Sequence, residues 1–537
     1  MTQRDSTTQA TVHNEGLFTK IAKATGGMTI VLTSIKILGF IEKQVLAYFF
    51  GTGYQVDAYF VGFSLMKVFW DFLRGLMSPS YLPTLIGFRG QVGEEKSWEF
   101  TSTILNLMTV VFVLIIGLAL LFTSQLIHLV APGFQSERFE VAVGLTRLML
   151  TGAGFFAIAI ITGLTLNSYK RFLLALMDDV VFKISGFLGL VLLLRYIGIY
   201  GLAWGIAIGS WIAPVLHLIG LRQYLPFYKF RINLRLEPVR KMFRLMLPLL
   251  VGISCIESRR LIDNFFASKL IIGSISALTF GYKLIEFTYV AIAEPLAVVV
   301  LPYFSDLALQ KDHAKLTATL MPILRTVVLI FTPLAGCLFA LRYPVVRLLF
   351  ERGEFDATST NLTVMALTFY APGLVSFALD VILLRCYFSL SDTLTPAIME
   401  VVTIVTHVTV IWLFIGTLDH GSIALAFTFS KTLKVVILFA LLRRKIEDLH
   451  LRHNLWFLGK IALTVMIMIG ILSGYQQIFL RIFDFPAFLL NAALIVSGGC
   501  LGIGIFLISV FVMKIEEVHL ILQTSKQFLT SFRKSAQ

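Results

Sequence analysis

Long apolar runs recur from one end of this chain to the other, and they leave it few ways to fold. A bilayer core about 30 Å thick is crossed by roughly 20 helical residues at about 1.5 Å rise each. Runs of about 18 or more apolar residues therefore read as membrane-crossing helices. By length and flanking breakers they number about 14, starting near residues 26, 56, 101, 141, 175, 199, 241, 276, 320, 357, 396, 421, 455 and 487. Only 14% of the residues are charged, where a soluble domain carries about 25%. The fold class that follows is an all-α integral membrane protein.

The formal net charge is +14. On a soluble protein that balance would suggest nucleic acid. In a chain of membrane helices, Lys and Arg collect in cytoplasmic loops and meet anionic lipid there, so no nucleic-acid partner is expected. Alternate loops do differ in charge. One set holds Arg89 and Lys96, Lys170 and Arg171, Arg222, Lys229, Arg231, Arg235, Arg240 and Lys241, Lys311 and Lys315, and Arg443, Arg444, Lys445 and Arg452. The other set is nearly bare, as in GTGYQV at Gly51–Val56 and GTLDHG at Gly416–Gly421, with Arg342, Arg347 and Arg352 the exception. Both termini fall with the basic set and are expected in the cytoplasm. The polar opening MTQRDSTTQATVHNEG reads as a disordered tail without the marks of a cleavable signal peptide. Cys255, Cys337, Cys386 and Cys500 lie in apolar runs and read as buried free thiols, with no metal site or disulfide framework.

The chain also resembles itself at an offset of about 220 residues. GYQVDAYFVGFSL from Gly53 parallels GSISALTFGYKLIEF from Gly273, and each leads to a Leu-Pro pair, Leu82-Pro83 and Leu301-Pro302. YGLAWGIAIGSW from Tyr200 parallels HGSIALAFTFSK from His420. An even number of helices per copy makes the repeat parallel, with a pathway expected between the halves. The expected organisation is a cytoplasmic tail (1–25), a six-helix bundle (26–222), a basic cytoplasmic linker (223–240), a second six-helix bundle (241–445), two further helices (446–513) and a basic cytoplasmic tail (514–537).

Charges inside the spans are costly, at least roughly 2.5–3.5 kcal/mol each at the bilayer centre, and they cluster. The first span carries Lys36 and Lys43 two turns apart on one face, with Glu42 pointing elsewhere. In the second, Lys67, Asp71 and Arg74 follow the i, i+4, i+7 pattern of one face. The seventh has Glu257, Arg259, Arg260 and Asp263, where Asp263 is within reach of both arginines. The eighth has Lys283 and Glu286 three apart, then Glu294. Each such residue is either a structural ion pair, a snorkelling cation, or part of a wet interior. Cations exceed anions in this set, which suits an anionic substrate such as a phosphate ester. Asp380, five residues before Arg385, is as well placed for a partner on another helix, and His407 is either a core histidine or a proton or cation element. Asp178 and Asp179 lie near the cytoplasmic end of the fifth span, where acids cost little.

No G-x-x-x-x-G-K-[ST] loop, H-E-x-x-H, C-x-x-C or G-x-S-x-G occurs, so neither ATP nor a familiar catalytic constellation is indicated, and no catalytic residue or cofactor is assigned.

Three stretches carry a family resemblance: TSIKILGFIEKQVLAYFFGTGYQVDAYFVGF from Thr33, LLFERGEFDATST from Leu348, and FYAPGLVSFALDVILLRCYFSLSDTLTP from Phe369. They resemble the MurJ, or MviN, family of lipid II flippases, within the multidrug/oligosaccharidyl-lipid/polysaccharide exporter superfamily. The resemblance implies two six-helix bundles and two C-terminal helices that offer a groove to the lipid tail. The family's first helix usually reads S-R-x-L-G-F-x-R-D; its two arginine positions fall on Lys36 and Glu42, and its aspartate on Lys43. Asp57 matches the aspartate of its D-A-F-F, Lys283 its eighth-helix arginine, and Glu286 the glutamate that follows. Its P-N-x-x-R-R is replaced by MKVFWD at Met66–Asp71, with Lys67 and Arg74 nearby. Positive charge is kept while the bidentate arginine fork is lost. Asp263 matches the seventh-helix acid of the cation site attributed to some members between helix 7 and helices 11–12, where the eleventh span here offers His407 and no acid in the same half.

The expected function is translocation of an undecaprenyl-pyrophosphate-linked peptidoglycan precursor, lipid II, across the bacterial cytoplasmic membrane by alternating access. Lys36, Lys43, Lys67, Arg74 and Lys283 are the substrate-binding candidates; Glu42, Asp57 and Glu286 orient them or form gate pairs; Asp263 and His407 are the candidates for cation coupling. Membrane potential or a monovalent cation is the expected drive, and cell-wall synthesis proteins are candidate partners. The alternatives are a flippase for another polyprenyl-linked glycan, a cation-coupled drug exporter of the same superfamily, an integral-membrane polyprenyl-phosphate transferase, and a scaffold for wall synthesis.

Overall fold

The computed structural model describes residues 31–446 and 451–513; the expected tails at 1–25 and 514–537 lie outside the described residues. Helix dominates, and no strand occurs among the described residues. In lipid a backbone can bond only to itself, which favours helix throughout. The principal helices are α1 (31–50), α2 (Tyr54–Val92), α3 (Glu94–Leu121), α4 (Ser136–Ala153), α5 (Phe156–Ser168), α6 (Met177–Ile197), α7 (Tyr200–Gly220), α8 (Glu237–Ala267), α9 (Ser274–Leu309), α10 (His313–Ala340), α11 (Ala357–Tyr370), α12 (Leu374–Ser389), α13 (Leu394–Leu418), α14 (Gly421–Leu442), α15 (Leu451–Ile482) and α16 (Ala487–Val512).

Ten helical segments among the described residues are long and apolar enough to cross a membrane, and the pair α4 and α5, bent by 41°, makes an eleventh. This is a multi-pass membrane protein. The long helices that miss this standard are α1, α2 and α8, the ones that carry Glu42, Lys43, Lys67, Asp71 and Glu257 to Asp263.

The chain forms two compact units. Among the described residues, unit one comprises 31–46 and 58–261; unit two comprises 47–57, 262–446 and 451–513. In unit one, α6 and α7 are held together by small residues. Gly201, Gly205 and Gly209 recur every fourth residue on α7 and lie against Ser185, Gly186 and Gly189 of α6. A Cβ on Gly189 would stand 2.6 Å from the Gly205 Cα, so a larger residue would force the helices apart. In unit two, α10, α15 and α16 share an apolar core of Val328, Leu329, Phe457, Ile461, Met468, Leu472 and Phe506.

Of the four cysteines expected to be buried, Cys386 is buried, Cys255 and Cys337 are half-buried, and Cys500 is exposed on α16; all four are free. An apolar position on a membrane helix faces lipid as readily as it faces a core, and Cys500 takes the outer side.

Candidate functional site

In unit one, α1 presents Glu42 and Lys43 to the interior, both nearly sealed from solvent. The Lys43 Nζ donates to Glu42 Oε1 at 2.8 Å. It also lies over the rings of Tyr59, Phe60 and Phe63 at 5.3, 4.9 and 5.6 Å from their centroids. From α6, Lys183 donates to Glu42 Oε2 at 3.2 Å. Lys36 stands two turns earlier on α1, exposed. Glu42, expected to point elsewhere, is thus the anion between two lysines.

The row on α2 forms as its spacing predicts. Lys67 donates to Asp71 Oδ1 at 2.8 Å. Asp71 Oδ2 accepts from Arg260 of α8 at 2.7 Å, and the same Arg260 Nη1 reaches Glu257 at 3.3 Å. Arg74, one turn on, contacts both oxygens of Asp179 at 3.3 and 3.2 Å and lies 5.8 Å from the Trp70 ring. Asp178 beside it is buried. The two acids do sit at a helix end, in the first turn of α6, where Asp179 partners Arg74 and Asp178 packs into the core.

In unit two, Lys283 Nζ donates to Glu286 Oε2 at 2.7 Å, both side chains partly open to solvent. Asp57 caps a helix. Its Oδ2 accepts from the Gly273 N–H and its Oδ1 from the Ser276 N–H, each at 2.8 Å, at the N-terminus of α9. The turn before it is seamed to the loop at residues 351–356. The Glu354 N–H donates to the Tyr48 carbonyl at 2.9 Å, and Thr52 Oγ1 donates to Ser359 Oγ at 2.9 Å. Gly51 and Gly353 make this close approach possible. They have φ of +56° and +63°, and a Cβ on either would collide with the carbonyl across the seam.

Asp263 pairs with His407 of α13, Nε2 to Oδ1 at 2.6 Å. His407 has no solvent exposure, and its Nδ1 has no hydrogen-bond partner among the described residues.

Spacing along the chain missed one constellation. Asp380 of α12 and Glu400 of α13 converge on two lysines of α14. Lys434 Nζ lies 2.8 Å from Asp380 Oδ1 and 2.6 Å from Glu400 Oε1. Lys431 Nζ lies 3.0 Å from Asp380 Oδ2 and 3.8 Å from Glu400 Oε1. Lys434 is wholly enclosed. The partner of Asp380 thus comes from another helix. The available signal was a pair of lysines three apart inside an apolar run, FTFSKTLKVVILF from Phe427.

A family model described as Lipid II flippase MurJ matches residues 46–494. The chain belongs to the MurJ family. Relatives in that family include the probable lipid II flippase MurJ of Buchnera aphidicola subsp. Baizongia pistaciae (strain Bp), 26% identical over 460 residues, 84% of this chain and 89% of that one. The lipid II flippase MurJ of Burkholderia cenocepacia is 25% identical over 420 residues, covering 76% of this chain and 81% of its own. Among solved structures, the lipid II flippase MurJ in an inward closed conformation matches with a TM-score of 0.74 at 22% identity, over 90% of this chain and 98% of that one. An inward-facing multidrug resistance MATE family transporter of the MOP superfamily matches with a TM-score of 0.67 at 15% identity, over 78% and 98%. These likenesses make the fold MurJ- and MATE-like.

Proposed function

We propose that this chain moves lipid II, an undecaprenyl-pyrophosphate-linked peptidoglycan precursor, from the inner to the outer leaflet of a bacterial cytoplasmic membrane. Family membership over residues 46–494 carries the reading. In this reading the chain crosses the membrane about 14 times, as two parallel six-helix repeats and two added helices, with both termini in the cytoplasm.

The paired charges suit an anionic headgroup. Lys67–Asp71 and Lys283–Glu286 are partly exposed pairs within one helix, four and three residues apart. An ammonium in such a pair has little to lose by turning to a phosphate oxygen, since the exposed pair is worth only about 0–1 kcal/mol. Lys36 and Arg74 are accessible in the same way. Lys43, roofed by three rings, holds Glu42 in place rather than reaching outward. Asp57 acts on the gate side by fixing the start of α9, the helix that carries Lys283 and Glu286. Asp263 and His407, paired at 2.6 Å, are the residues this reading assigns to cation coupling. Membrane potential assists at about 2.3 kcal/mol per charge per 100 mV.

The test is depletion of the protein in its own cell with leaflet-resolved measurement of lipid II. Accumulation on the cytoplasmic side while synthesis continues is the expected result. An unchanged distribution, with no second flippase present, would overturn it. The MATE-like fold supports one other reading, cation-coupled drug export. Efflux of a cationic dye that stops on depletion, with lipid II undisturbed, would favour that reading.

A further inference from the structure

The connection between α7 and α8 carries large apolar side chains outward. After a short helical turn at Leu225–Phe227, residues 228–236 run as irregular chain with a bend at Phe230 and a turn at Leu234–Arg235. Phe230 stands at the apex of a γ-turn, in which the Arg231 N–H donates to the Lys229 carbonyl at 2.8 Å. Its ring is 89% exposed, and Ile232 and Leu234 are 44% and 54% exposed. Lys229, Arg231 and Arg235 alternate with them and are exposed as well.

This segment is fastened. Asn106 of α3 donates to the carbonyls of Lys229 and Arg231 at 3.1 and 3.2 Å, bracketing Phe230. The N–H groups of Lys229 and Asn233 donate to Ser102 and Thr103 at 3.1 and 3.3 Å, and the Asn233 amide donates to Glu99 at 3.0 Å. At its start, Tyr224 stacks on Tyr169 with centroids 4.0 Å apart, and Trp98 donates to the Tyr169 hydroxyl at 3.0 Å. A flexible loop would fold Phe230 inward; this one holds it out.

The level along α3 says what it is held out to. The charged residues of α3 are Glu94, Glu95, Lys96 and Glu99; its outward apolar run begins at Val110 and Val111 and continues through Val113 and Leu114. Asn106 lies one turn before that run. Phe230 is therefore at the edge of the hydrocarbon band, in the zone where aromatic side chains collect. Alternating apolar and basic side chains at that depth match the acyl–headgroup boundary of an anionic leaflet.

We propose that residues 228–236 are a lipid-binding strap: Phe230, Ile232 and Leu234 enter the bilayer boundary, while Lys229, Arg231 and Arg235 hold the phosphates of anionic phospholipid. The test is amide hydrogen exchange at residues 229–235 of the full chain in nanodiscs. One set is phosphatidylcholine alone; the other is equal parts phosphatidylcholine and phosphatidylglycerol. Exchange is expected to be slower in the anionic discs, each basic residue contributing about fivefold to local affinity. A Lys229→Gln/Arg231→Gln/Arg235→Gln variant is expected to exchange alike in both discs, and Phe230→Ser to exchange faster in both. Equal rates for the parent in the two discs, or a lipid difference that survives in the triple variant, would overturn the proposal. Thermal melts equal to the parent's would establish that the variants fold.

Discussion

An ammonium with no solvent exposure persists in a membrane helix only while its carboxylates stay with it. Lys434 meets that condition through Asp380 and Glu400. Lys434→Met is expected to destabilise the protein by about 3–5 kcal/mol, because two buried acids lose their principal partner. Replacing Asp380, Glu400, Lys431 and Lys434 together by leucine should recover most of that loss, since a whole buried ion network exchanged for apolar packing is often near neutral. Unfolding of the purified variants in detergent measures both. Lys283 is a different case, because its pair with Glu286 is partly open. Lys283→Met should leave stability within about 0.5 kcal/mol. The same change should cut lipid II translocation roughly tenfold, the worth of one charge-assisted hydrogen bond. Lys283→Arg should keep most of the rate. A Lys283→Met variant that translocates at the parent's rate would remove Lys283 from the substrate site.

The informative elements are the helix starts. Asp57 satisfies two N–H groups at the start of α9, so Asp57→Ala should cost about 1–2 kcal/mol and speed amide exchange at Gly273–Ala277. Asp356 caps α11 by accepting from the Ser359 N–H at 2.8 Å. That N–H, helped by the Ser359 and Thr358 side chains against a smaller burial effect, holds the Asp356 carboxyl below the usual carboxylate range. The folded value is thus depressed, so the stabilisation is full above the unfolded pKa of about 3.9 and is lost as pH falls through the folded value. Asp356→Asn caps without titrating. The parent's thermal margin over this variant should be level above about pH 5 and shrink below about pH 4, as melts across that range would record. Capping of α11 follows from local order, an aspartate three residues before Ser359. Capping of α9 by Asp57 does not, because the two residues it joins are some 216 apart in the chain. For the same reason the i, i+4, i+7 row on α2 was legible from spacing, while its partners Arg260 and Asp179 were not.

For the whole molecule, lipid II as the proposed substrate predicts an exchange. The chain should restore growth and lipid II distribution in a cell depleted of its own MurJ, and continued lysis of such cells despite stable expression would count against the reading. The membrane-embedded helical class and the family were legible because apolar length and a few local motifs survive divergence to 26% identity. The charge balance was not. Cations outnumber anions in the spans singled out, yet Lys43, Lys67, Arg74 and Lys283 each hold a carboxylate, three of them brought from the same helix and one from another. Sequence counts charges; only packing pairs them. The enclosure of Lys434 reaches back to biosynthesis. A lysine at mid-helix costs about 2.5–3.5 kcal/mol on release from the translocon into lipid, and α14 leaves the ribosome after α12 and α13. Asp380 and Glu400 are synthesised first and bear the same penalty until Lys431 and Lys434 arrive. The three helices are therefore best released together, held at the translocon until the last has emerged, so that α14 partitions into lipid already neutralised.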